Sequence, residues 1–109
     1  MVSPVEHLTR LAGTVLARWP HERLPDRDVV LLDVDSAEVV LGPDLLSQRI
    51  GQEVEVTVRR ELLGAAGPGA RLSVRAHLTP VGVVAESHPP PGELLIAEAG
   101  PGQGGPGIG

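Results

Sequence analysis

From Glu53 to Arg60, and again from Arg71 to Leu78, apolar and polar residues alternate almost without a break, and a period of two marks a half-buried β-strand. Val54, Val56 and Val58 fall on one side, with Glu53, Glu55, Thr57 and Arg59 on the other. In the second run Leu72, Val74, Ala76 and Leu78 alternate with Arg71, Ser73, Arg75 and His77. Two strands with one wet face each commit the chain to a sheet that covers a core. Between them, residues 61–70 hold Gly64, Gly67, Pro68 and Gly69 and read as a loose hairpin loop. The hairpin register that pairs Val58 with Leu72 and Val56 with Val74 also sets Glu55 against Arg75 and Glu53 against His77, a complementary polar face.

The N-terminus reads differently. Ser3-Pro4-Val5-Glu6 has the order of a capping box with proline at the first helical position. Val5, Leu8, Leu11, Ala12, Val15, Leu16 and Trp19 then recur at helical spacing, which predicts an amphipathic helix over 4–18, ended by Pro20. The continuous apolar run Val29–Leu32 with Val34 predicts a strand covered on both faces, and Asp35-Ser36 a tight turn into a second strand over 37–41. Residues 43–50 read as two turns of helix closed by Gly51, and 81–86 and 93–98 as two more strands, the last at an edge. Residues 99–109 contain six Gly and two Pro and read as a disordered tail behind one globular domain, 1–98. The expected architecture is α+β: the N-terminal helix packed on a mainly antiparallel sheet of five or six strands, as a roll or small barrel. Gly51 followed by Val54, Val56 and Val58 is a spacing shared by oligonucleotide-binding-type barrels, by ligand-sensing barrels of transporter ATPases and by unrelated sheets.

Composition removes several functions. The 109 residues carry 14 acids against nine Arg and no Lys, a net charge of −5, which repels phosphate backbones and argues against a nucleic-acid partner. Trp19 is the lone aromatic, so no platform for stacking bases exists. Without Cys there is no thiol nucleophile and no Cys-based metal site. No apolar run reaches the roughly 18–20 residues needed to span a bilayer, and the N-terminus lacks a secretory layout, so a cytoplasmic, membrane-free protein is expected.

Asp33-Val34-Asp35, at the end of an apolar run, resembles the first motif of haloacid-dehalogenase-type phosphatases, in which the first carboxylate is a nucleophile and the second handles the proton. That chemistry also requires a basic residue, commonly Lys, and a larger parallel sheet than this chain can build. The pattern resembles the metal-gripping Asp-x-Asp of glycosyltransferases as well, which chain length excludes; two acids flanking a turn remain. His7, His21, His77 and His88 lack the spacing of ligands on one element. Glu86, His77 and His88 could meet as a metal or acid–base cluster if the strands that bear them pair. No cofactor is expected. The reading that follows is a non-catalytic accessory or assembly subunit working through protein contacts and self-association, with Trp19, Leu94 and Ile96 at the interface. The alternatives are a small metal-dependent or acid–base enzyme and a barrel holding a small ligand.

Overall fold

The structure is a computed structural model, and it describes residues 6–98. Ser3-Pro4-Val5 and the glycine-rich 99–109 lie outside the described residues. The two alternating segments are strands, β3 (Glu53–Arg59) and β4 (Arg71–Thr79), with Val54, Val56, Val58, Leu72, Val74 and Ala76 buried. They do not pair with each other. After β3 the chain enters a four-residue helix, α1 (Arg60–Leu63), and Leu63, Ala66 and Ala70 sink into the core. Those three apolar anchors tie the expected loop down and deliver β4 beside the first strand instead of back along β3.

That first strand, β1 (Leu8–Pro20), replaces the expected N-terminal helix. Thr9, Leu11, Gly13 and Val15 alternate inward, and a register shift between Val15 and Ala17 then flips the phase, so that Leu16 and Trp19 are exposed. A bulged strand places apolar residues three and four apart, which imitates helical periodicity. Gly13 settles the competition: a Cβ there would lie 2.0 Å from the Asp33 carbonyl oxygen, an approach that only a glycine in a neighbouring strand permits.

The expected turn at Asp35-Ser36 is also absent. β2 runs unbroken over Arg27–Leu41, paired with β1 along its length and with β3 from Arg27 to Asp33. Asp35 is passed over in the register instead, because Ala12 faces Ser36 while Gly13 faces Val34. The expected helix over 43–50 shrinks to one 3-10 turn, Ser47–Arg49, although the adjoining Leu46 is fully buried.

β1 pairs antiparallel with both β2 and β4, β4 with β5 (Gly82–Ala85), and β3 with β5 in parallel. These pairings close a five-stranded barrel, and β6 (Leu95–Ala97) extends it at Arg71–Ser73 of β4. The protein is therefore mostly β, in place of the expected α+β arrangement of a helix on an open sheet. A sheet closed on itself leaves its inner face no need of a helix. Around the ring the strands follow the order β1-β2-β3-β5-β4 and back to β1, with the short helix α1 between β3 and β4.

Candidate functional site

A groove lies on the outside of this barrel, over β1, β2 and β3. Its floor follows from strand phase: Val29 and Glu55 point away from the core while Val30, Val54 and Val56 point in. Val29 is nonetheless only 8% exposed. Its Cα faces Trp19 across β1, and the residues that connect β1 to β2 fold over it.

Both walls are held by hydrogen bonds of their own. In the β1–β2 loop, residues 21–26, Nδ1 of His21 accepts the backbone N–H of Arg23 at 3.0 Å and of Leu24 at 3.1 Å. The His21 N–H donates to the Arg27 carbonyl at 3.0 Å, closing the loop base. In the β4–β5 turn, Thr79 Oγ1 donates to the Gly82 carbonyl at 2.8 Å and accepts the Val81 N–H at 3.1 Å. Gly82 has φ of 127°, a conformation that L side chains avoid, and Val81 stands at the tip, 91% exposed. Between the walls is a cavity of about 610 Å³ lined by Trp19, Leu24, Val29 and Val81 with Glu22, Arg23 and Glu55.

Below the groove sits a buried ionic clamp. Asp28, 6% exposed, accepts hydrogen bonds from Arg18 Nε at 2.7 Å and Arg60 Nε at 2.8 Å. Arg18 also donates to the carbonyls of Gly64 and Ala66, at 2.9 and 2.7 Å, and so fastens the α1 region to β1. Burial pulls the Asp28 carboxyl upward, but the hydrogen bonds from Arg60 and Arg18 outweigh it and hold the group below its ordinary range. The clamp fixes the strand ends from which Trp19 and Val29 project.

The candidates singled out in the sequence go elsewhere. Glu86 is engaged by Arg75, with Nε and Nη2 each 2.9 Å from a carboxylate oxygen. His77 lies edge-on to His7 with ring centroids 6.2 Å apart, and Nε2 of His7 accepts the Leu78 N–H at 2.8 Å. His88 is exposed beyond β5. Among the described residues no group of three His, Cys, Asp or Glu side chains could hold a metal ion. Asp33 and Asp35 part company: Asp33 faces Glu53, and Asp35 forms an ion pair with Arg71, whose hydrogen bonds hold the Asp35 carboxyl down. Leu94 and Ile96 pack against the core, and Leu95 between them is exposed. Only Trp19 of the three interface candidates stands in the groove.

Leu24, Val81 and Glu55, which line the groove, are not among the site residues expected from the sequence. An apolar residue between Pro80 and Gly82, where a turn favours polar ones, was the available signal. A second apolar surface, Val39, Val40 and Leu41, lies along the part of β2 beyond β3. Among the described residues no helix is long and apolar enough to cross a membrane. Comparison of the chain with known protein families, with curated proteins and with solved structures finds no match.

Proposed function

We propose that this chain is a non-catalytic binding module that docks a segment of a partner protein in the groove between the β1–β2 loop and the β4–β5 turn. The observation that carries the reading is that both walls are fixed by internal hydrogen bonds while Trp19, Leu24 and Val81 remain exposed between them. A concave apolar site with its ordering entropy already lost binds more tightly than a flexible one. The Val39–Leu41 surface is the weaker alternative. A register shift between Leu8 and Thr9 falls within it, passing over Val40, and bulges blunt a strand edge against pairing. Oligonucleotide-binding-type barrels use the corresponding face of strands 2 and 3 for their ligands, but a fold does not fix a ligand.

A photo-cross-linking amino acid in place of Val81, expressed in the native cell, tests the reading. A discrete protein adduct is expected at that position, reduced by Trp19→Ala and missing when the cross-linker replaces Gln48 on the distant β2–β3 connection. Equal labelling at both positions, or none at Val81, rejects it. A small molecule is the second reading, favoured by a cavity volume of about 610 Å³, within the range of ligand sites. A shift of Trp19 emission with a cell extract freed of protein distinguishes it.

A further inference from the structure

The arginines of this protein are unevenly spent. Seven of the nine, Arg10, Arg18, Arg27, Arg59, Arg60, Arg71 and Arg75, are engaged in ion pairs. Their partners are Asp26, Asp28, Asp35, Glu38, Glu61, Glu86 and Glu93. On the outside of β2 and β3 the opposite holds. Asp33 and Glu53 face each other directly across the ladder, and Glu55, opposite Leu31, follows on the same face. All three are exposed, and no ion pair or hydrogen bond among the described residues engages their carboxylates. Glu22, at the groove rim, is equally bare. Arg23 is the groove's one cation against Glu22 and Glu55.

Like charges directly opposite in an antiparallel pair destabilise the sheet. A chain that pairs seven of its fourteen carboxylates with arginine but tolerates this pair beside a preformed apolar groove breaks a local rule where a partner can repay it. The geometry points to an extended cationic segment of a partner protein, with arginine or lysine at alternate positions followed on the same face by an apolar residue, as the occupant of the groove. This rests on the binding-module reading above and adds the chemistry of the partner.

The spacing fits. Glu53 and Glu55 are two residues apart on one strand, so their side chains repeat at on the order of 7 Å, the interval between alternate side chains of any extended peptide. Charges at that interval meet Glu53 and Glu55, and a residue two positions further along, on the same face of the peptide, comes level with Thr57 and Val29, where Leu24, Trp19 and Val81 line the groove. A nucleic acid meets repulsion from four carboxylates and a single stacking surface. The acids do not form a metal-holding set.

Titration of the full chain with a synthetic Arg-Ser-Arg-Ser-Val peptide, followed by calorimetry and by Trp19 emission, tests the inference. The peptide should bind, quench or shift the emission, and weaken as salt rises to about 0.15 M, where the Debye length falls to about 8 Å. The triple variant Asp33→Asn, Glu53→Gln, Glu55→Gln should bind it about tenfold more weakly, while Glu6→Gln, exposed beside Gly42 at the far end of β2, should bind as the parent does. Circular dichroism confirms that the triple variant is folded, which removal of like-charge opposition favours. Equal binding of the triple variant, or binding of the Glu-for-Arg peptide or of an oligothymidine as tightly as the Arg peptide, overturns the inference. If the Val81 adduct forms in cells yet the Arg peptide does not bind, the cationic partner is wrong and the groove reading stands; if neither occurs, both fall.

Discussion

Two outer faces of the same barrel treat charge in opposite ways. Over β1 and β4, Glu38, Arg10, Glu93, Arg75 and Glu86 form a continuous alternating ladder that ties β2, β1, β4 and the segment after β5 together. Over β2 and β3, Asp33, Glu53 and Glu55 stand without a cation, next to exposed apolar side chains. The first face is complete within the chain. The second has solvent-facing carboxylates and uncovered carbon side by side, the combination that the proposed partner would meet. The contrast teaches that in a domain with a thin core, surface charge can be sorted into a part that holds strands together and a part kept available.

The comparison can be broken or sharpened by substitution. The largest effect belongs to the satisfied ions at their most buried point: Asp28→Ala should cost about 3–5 kcal/mol of stability, because Arg18 is left without its counter-charge, and a denaturant midpoint reads it. The same variant carries a pH signature. Because the folded-state carboxyl of Asp28 lies below its ordinary 3.8, its stabilisation is present at pH above that value and is lost as pH falls through the folded one. Asp28→Ala should therefore flatten the acid limb of a stability-against-pH curve below about pH 4. Arg75→Ala, which strands Glu86 on the ladder face, should cost about 1 kcal/mol. Asp33→Asn or Glu53→Gln should move the other way and raise stability by a few tenths of a kcal/mol. If those two variants destabilise the fold, the bare face is structural after all and the contrast fails.

The alternation in 53–59 and 71–78 made β3 and β4 legible, since a strict period of two has no competing reading. Their pairing was not legible. The sequence neighbourhood suggested a hairpin, but the partner choice was made by Leu63, Ala66 and Ala70, whose burial cannot be inferred from a glycine-rich segment. β1 imitates a helix because the bulge at Leu16 reproduces the spacing of a helix face, while the decisive residue, Gly13, shows its role only through its contact with the backbone of β2. Trp19, expected at an interface, lines the groove. Its neighbours in the groove come from two loops far apart in the chain, so no local pattern announces them. The Glu86, His77 and His88 cluster looked plausible for want of knowing that Arg75 claims Glu86 and that His77 meets His7.

β3 and β5 join through two residue pairs, Val56 with Val83 and Thr57 with Val84. Every other junction around the ring is longer. A ring is only as durable as its shortest seam, and this one joins parallel strands, the slightly less stable kind of pairing. Closure also waits on residues as distant in the chain as Thr9 and Ala76 finding each other, so the entropy of a long loop is lost before the ring rewards it. Slow assembly and transient opening at Val83 and Val84 are thus inherent in the topology, and amide protons there exchange with solvent ahead of those at the β2–β3 junction.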